Sequence, residues 1–267
     1  MKIQIKNIYI ILIFVIFVSL VLSSPIKDGT EIPTESIQEL KATEEYQTIN
    51  DNLKITEFRG DDKVNAILIL EVGGFDKDID FVKFILNEMG YQNVTDIFFN
   101  GKGMACSAFQ VPNEHGDGDG YYFGRNFDWY DSNFLILINH PDNGYSSIST
   151  VNPDFINWAA EGLPFNDLLN KIYSDPNSIV KIPDDILRMA SLYPPLNGLN
   201  EKGLSIFINM VYSNPVNQTV PGLTDLTVLP LIRVLLDKAA NVDEALEIIK
   251  NDNLHNSFEL EFPLSYC

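Results

Sequence analysis

A thiol, a guanidinium and a carboxylate stand in two neighbouring stretches of the chain. Cys106 lies in Met104-Ala-Cys-Ser-Ala-Phe109, and Arg125 and Asp128 lie in Phe123-Gly-Arg-Asn-Phe-Asp-Trp129. Hydrolysis of an amide by a thiol requires the nucleophile, a base, a group that orients the nucleophile, and donors for the oxyanion. The three histidines, His115, His140 and His255, sit singly in turn-like surroundings and read as solvated side chains, so none is assigned as the base. Another base is available. If the Ala105–Cys106 bond is cut, the freed α-amine, of ordinary pKa about 7.7–8.0, takes the proton of its own thiol. Small Ala105 and the flexible Gly101-Lys-Gly103 would let the thiol reach the preceding carbonyl. Cys106 is therefore expected to act twice, first in self-cleavage and then in turnover.

The second stretch supplies partners for both products of that cut. On a strand, Arg125 and Phe127 face one way while Asn126 and Asp128 face the other. Asp128 is expected to hold the new ammonium group, and Arg125 to lie against the thiolate. Gly124 permits close backbone approach. Taken alone, an Arg and an Asp so spaced read better as a surface ion pair worth under about 1 kcal/mol.

These residues need a frame. Pro25 to about Asn52 is polar and reads as an extended leader, with order expected to begin at the β-rich run Val64-Asn-Ala-Ile-Leu-Ile-Leu70, which Gly73-Gly74 ends. Asp78 to Met89 has helical spacing and stops at Gly90; Val94 to Phe99 follows as a candidate strand. Hairpins are expected from Ser107–Val111 with Gly120–Arg125, and from Phe134–Asn139 with Tyr145–Val151 across Pro141-Asp-Asn-Gly144. Short helices are placed at Phe165–Ile172 and Asp184–Leu192, and a strand at Gly203–Tyr212. Thr227 is a candidate cap for a helix with Pro230 in its opening turn, and Asn241-Val-Asp-Glu244 resembles a capping box for the next. Asp117-Gly-Asp-Gly120 reads as a turn, because the full calcium-loop pattern with its final Glu is missing, and no zinc spacing occurs. No metal or cofactor is expected.

The chain has 267 residues, 45% hydrophobic and 21% charged, which suits a globular protein with a substantial core. Its formal charge of −19 repels phosphate backbones and argues against a nucleic-acid partner. Lys2 and Lys6 precede the apolar run Ile8–Leu22, and Val21-Leu-Ser23 has a cleavage pattern. This reads as a signal peptide over 1–23, too short for a stable membrane span, and implies a secreted or lysosomal/endomembrane lumenal protein. Asn93-Val-Thr95 and Asn217-Gln-Thr219 are glycosylation sequons consistent with that route. The chain has two cysteines, Cys106 and Cys267, so it is no disulfide scaffold, although a single Cys106–Cys267 bridge is the alternative to a free thiol.

A cysteine followed by a hairpin and then Gly124-Arg-Asn-Phe-Asp-Trp129 resembles the choloylglycine hydrolase family, the linear amide C–N hydrolases. That group includes bile-salt hydrolases and penicillin V acylases and is related to acid ceramidase-like amidases. Similar stretches follow in the same order: Gly144-Tyr-Ser-Ser-Ile-Ser149, Pro194-Pro-Leu-Asn-Gly-Leu-Asn-Glu-Lys-Gly-Leu204, Asn217-Gln-Thr219, Leu231-Ile-Arg-Val-Leu-Leu-Asp237 and Asn241-Val-Asp-Glu-Ala245. The resemblance, over about Val64 to Ser257, implies an α+β fold, the four-layer αββα sandwich of N-terminal-nucleophile hydrolases. It matches Cys106 to the nucleophile, and Arg125 and Asp128 to its partners at the thiol and the amine. Asn209 is the nearest candidate for an oxyanion donor, one residue out of step with the bile-salt branch. The implied substrate is a small-molecule acyl amide, with bile-salt, penicillin, N-acyl-ethanolamine and ceramide amides all in range.

The resemblance also sets an organisation: signal peptide 1–23, leader 24–105 with its own α/β elements, the N-terminal part of an amidase domain 106–257, and a divergent tail 258–267. Relatives continue through further strands carrying another oxyanion asparagine and a later arginine, for which this sequence has no positions. The expected fold is therefore incomplete at its C-terminus. A truncated inactive paralogue, or an acyl-amide or lipid-binding protein, is the alternative to an active amidase.

Overall fold

A computed structural model describes residues 46–60, 66–91, 105–111, 122–128, 133–161, 163, 165–209 and 216–255. Met1–Ser23, most of the leader, Asn93, the strand expected at Val94–Phe99, His115, the Asp117–Gly120 turn, the tail and Cys267 lie outside them. The fold is α+β. Its centre is a six-stranded sheet of order β1-β2-β5-β6-β7-β8. These strands are β1 (Gln47–Asn50), β2 (Leu53–Arg59), β5 (Phe134–His140), β6 (Ser147–Val151), β7 (Asn197–Asn200) and β8 (Ser205–Phe207). The hairpin β3 (Ala105–Val111) with β4 (Tyr122–Asp128) and the parallel pair β9 (Thr224–Leu226) with β10 (Asp252–Leu254) are separate two-stranded sheets.

Alternation along β5 divides the six-stranded sheet into two faces. Leu135, Leu137 and Asn139 are buried, and they stand opposite Val151, Ser149 and Ser147 of β6. Helix α6 (Val228–Lys238) covers this face, with Leu231, Val234, Leu235 and Leu236 all sealed from solvent. It lies close enough that a Cβ on Gly198 of β7 would stand 2.7 Å from Leu236 Cδ1. Helices α1 (Ala66–Glu71) and α2 (Asp78–Glu88) pack on α6 from outside. On the other face, Ile138 pairs with Ile148, and Ile148 pairs with Leu199. Ile148 is 46% exposed and Leu199 37%. The sheet is thus sealed on one side and partly open on the other.

Two expectations fail. Within the run expected as a strand, Ala66–Leu70 lie in helix α1: Ile69 is fully buried in the core, and packing against α6 outweighs β propensity. Gly73 and Gly74, at φ +85 and +74, end it as expected, donating to Leu70 O and Ile69 O. Order also begins before Val64. β2 inserts beside β5 in parallel, with Thr56, Glu57 and Phe58 buried. Among the later elements, α4 (Phe165–Ser174) and α5 (Asp184–Ala190) lie where expected, while α3 (Pro153–Glu161) was not anticipated. Thr227 precedes α6 but its side chain caps nothing. Before α7 (Val242–Lys250), Asn241 Oδ1 accepts from Glu244 N at 3.0 Å, and Glu244 Oε2 accepts from Ala240 N at 2.9 Å, so that cap forms.

Asn200 fastens the sheet to α6. Its Nδ2 donates to Leu236 O (3.0 Å) and Ala239 O (2.8 Å), while its Oδ1 accepts from Lys202 N and Leu204 N, both at 3.1 Å. One amide therefore closes the β7–β8 turn and takes up carbonyls left free at the end of α6. Beside it, buried Arg233 donates to Ser147 Oγ at 2.9 Å and pairs with Asp237 one turn along. Burial pushes the Asp237 carboxyl above its ordinary value, partly offset by Arg233.

Removing Arg233 strands a buried carboxylate, so Arg233→Leu is expected to cost about 3–5 kcal/mol in urea unfolding at neutral pH. The loss shrinks as pH falls toward the ordinary carboxylate value of 3.8, because a protonated Asp237 needs no counter-charge. A deficit unchanged by pH would contradict this account.

Candidate functional site

The hairpin sets out the candidate residues by register. Cys106 pairs with Phe127 and Ala108 with Arg125, so these four share one face. Ser107, Phe109, Gly124 and Asn126 take the other. Ala105 is the register partner of Asp128, which places the carboxylate-bearing position directly across from the residue before the expected cut. Beyond this placement, the Asp128 side chain lies outside the description.

Arg125 is the hub. Its Nη2 lies 3.6 Å from Cys106 Sγ and also donates to Ile208 O, just past the end of β8. Its guanidinium carbon stands 5.0 Å from the centre of the Phe127 ring. Burial pulls its pKa below the ordinary value, and the neighbouring sulfur opposes that shift. Arg125 Nε is buried without a partner among the described residues, as is Oδ1 of Asn209, the residue after Ile208. Cys106, Arg125 and the Ile208–Asn209 segment thus converge, although they come from three separate parts of the chain.

Aromatic rings hold the hairpin against the open face of the main sheet. Phe123 meets Phe207 of β8 at 5.6 Å between ring centres, and Phe127 meets Phe134 of β5 at 5.8 Å. Phe127 also meets Phe155 of α3 at 6.3 Å. Phe134, Phe155, Phe207 and Ile208 were not singled out from sequence, since each lies far along the chain from Cys106 and carries no local signal. Gly124 has a different role from the one expected. A Cβ there would stand 2.2 Å from the tip of the Phe109 ring, so the glycine makes room for an aromatic side chain lying across it.

The histidines are also placed differently. His255 is 6% exposed and bonded on both ring nitrogens, to Asn217 Oδ1 at 2.6 Å and to Asp225 Oδ1 at 2.8 Å. His140 contacts Ser146 and Glu57. Neither is a lone solvated side chain. Asn217, the second sequon, is exposed, and its carbonyl oxygen faces His255. Among the described residues Cys106 is a free thiol, no group of three or more His, Cys, Asp or Glu gathers to hold a metal, and no helix is long and apolar enough to cross a membrane.

Comparisons with protein-family models, with curated proteins and with solved structures give no match to this chain.

Two outcomes follow from the geometry. Arg125→Met loses a charge-assisted bond to Ile208 O and is expected to cost about 1.5–3 kcal/mol in denaturant unfolding. Arg125→Lys should recover only part of that, because one ammonium cannot also keep the planar stacking on Phe127. In a double-mutant cycle, Gly124→Ala should destabilise by about 1 kcal/mol in the parent and by much less in Phe109→Ala, where the ring it displaces is gone.

Proposed function

We propose that the chain is a cysteine amidase of the N-terminal-nucleophile kind. It is made as a precursor, cut before Cys106, and hydrolyses a non-peptide linear amide with a lipophilic acyl side. The observation that carries this reading is the guanidinium of Arg125 at 3.6 Å from the Cys106 sulfur, anchored from behind on the Ile208 carbonyl. A cation so held can offset negative charge on the sulfur during the reaction and stays in place while that charge changes. The Ala105–Asp128 register supports the assignment of Asp128 to the new amine. The resemblance of the surrounding motifs supports the four-layer sandwich, of which helices, main sheet and hairpin would be three layers. The acidic surface, with a formal charge of −19, fits a secreted or lysosomal setting.

The chemistry runs in two steps. The Cys106 thiol gives its proton to the freed α-amine as sulfur bonds to the amide carbon, and the C–N bond breaks as the amine leaves with that proton. Water then cleaves the thioester and restores the thiol, releasing the carboxylic acid. Asn209, the residue after Ile208, is assigned as the oxyanion donor. The aromatic belt of Phe127, Phe134 and Phe155 suits a lipophilic acyl group beside the sulfur.

A non-catalytic acyl-amide binder is the second reading, favoured by one observation. Ala105 and Cys106 both belong to β3 and pair with β4, so the bond to be cut lies within a strand ladder.

Intact mass of the purified protein decides between the two. Under denaturing conditions the parent should give two chains, cut between Ala105 and Cys106, and Cys106→Ala should stay whole. A parent that remains one chain, and yields no thioester with an acyl amide, would sink the amidase reading in favour of the binder.

A further inference from the structure

A second constellation of nucleophile, base and carboxylate lies on the open face of the main sheet, away from Cys106. Ser146 Oγ stands 3.1 Å from His140 Nδ1, and His140 Nε2 stands 3.3 Å from Glu57 Oε1. Glu57 is only 5% exposed, and Arg59 Nη2 lies 2.5 Å from the same oxygen, which fixes the carboxylate in place. With Nε2–H donating to Glu57, the lone pair of Nδ1 is left facing the Ser146 hydroxyl. That is the order of contacts a serine hydrolase needs: the hydroxyl on the base, and the base on an orienting carboxylate.

The fold builds this arrangement from three places. Glu57 and His140 come from neighbouring parallel strands, and Ser146 from the turn that brings the chain back into β6. Ser147 points to the α6 side, so Ser146 lies on the open side with Ile148. The His140 side chain is 32% exposed, which leaves the imidazole open to a substrate. The cross-strand row Ile138–Ile148–Leu199 begins two residues back along β5 and offers an apolar track. Glu201 N donates to Ser146 O at 2.8 Å, which fixes the backbone of the nucleophile. The hairpin with Cys106 docks on Phe134 and Phe207, at the opposite end of the same face. Six residues of strand at about 3.3 Å each put the two ends of β5 about 20 Å apart.

We propose that Ser146, His140 and Glu57 form a second, independent acyl-transfer site, specific for esters of an apolar acyl group lying along Ile138, Ile148 and Leu199. Ser146 Oγ bonds to the acyl carbon as its proton passes to His140 Nδ1. The ester C–O bond then breaks, and the leaving alcohol carries that proton away. Water gives a proton to His140 as its oxygen bonds to the acyl carbon, and that proton passes to Ser146 Oγ as the acyl–oxygen bond breaks and the carboxylic acid leaves.

The test uses an alkyl fluorophosphonate, which loses fluoride as a serine oxygen bonds to phosphorus, on the full chain carrying Cys106→Ala. The thiol and any self-cleavage are then out of play, and failure of the amidase reading leaves this experiment untouched. Peptide mass mapping should find the adduct on Ser146, absent from Ser146→Ala. His140→Gln should slow adduct formation by at least about a hundredfold, and Glu57→Gln should slow it less. Thermal melting of each variant separates loss of the base from loss of the fold. No adduct on Ser146 in a folded chain would overturn the proposal. So would an adduct forming at the same rate in a folded His140→Gln chain or in a folded Glu57→Gln chain.

Discussion

A six-stranded sheet has two faces to cover, and the rest of this molecule is organised by the unequal way in which that is done. On one side α6 lies flat on the strands, close enough that Gly198 has no room for a side chain beside Leu236. Asn200 and Arg233 then tie strand to helix through bonds that have no water to replace them. This sealed side is the rigid base from which everything else projects. On the other side the strands offer half-exposed aliphatic rows, and the β3–β4 hairpin leans on one end of them through paired rings. Both candidate reactive centres belong to this incompletely covered side, where a side chain can be held firmly from below and still be reached from above.

Arg125 ties the hairpin to its support. A single nitrogen serves both the Cys106 sulfur and the Ile208 carbonyl, and ring contacts stand beside it. Ring contacts tolerate sliding, whereas the guanidinium fixes direction. That side chain links the thiol directly to Ile208, just past the end of β8 and the residue before Asn209.

Local signals were legible and long-range ones were not. The hairpin around Cys106, the helix α2 with its Gly90 stop, and the Asn241–Glu244 cap all depend on residues near one another in sequence. The strand β2 was hidden because Leu53–Arg59 mixes Lys, Thr, Glu and Arg into its pattern, and Glu57 is tolerated inside only because Arg59 and His140 meet it. The aliphatic run Ala66–Leu70 has strand-like composition, yet its helix is decided by the surface α6 presents to it. His140 and His255 looked isolated because their partners, Glu57 and Asp225, come from strands far along the chain. Asn209 was placed from a motif, and the bond from Arg125 to the Ile208 carbonyl just before it emerges only with the fold.

The parallel pairing of β2 with β5 has a consequence for any cut before Cys106. β2 precedes that bond and β5 follows it, yet Leu53–Arg59 and Phe134–His140 run side by side over seven register pairs. Phe58 and Thr56 on the first of these strands are buried in the body of the protein. Severing the backbone at Ala105 would therefore release no propeptide. The two pieces would stay laced together as one body, a heterodimer whose subunits share a sheet, and the earlier segment would remain a permanent part of the mature architecture.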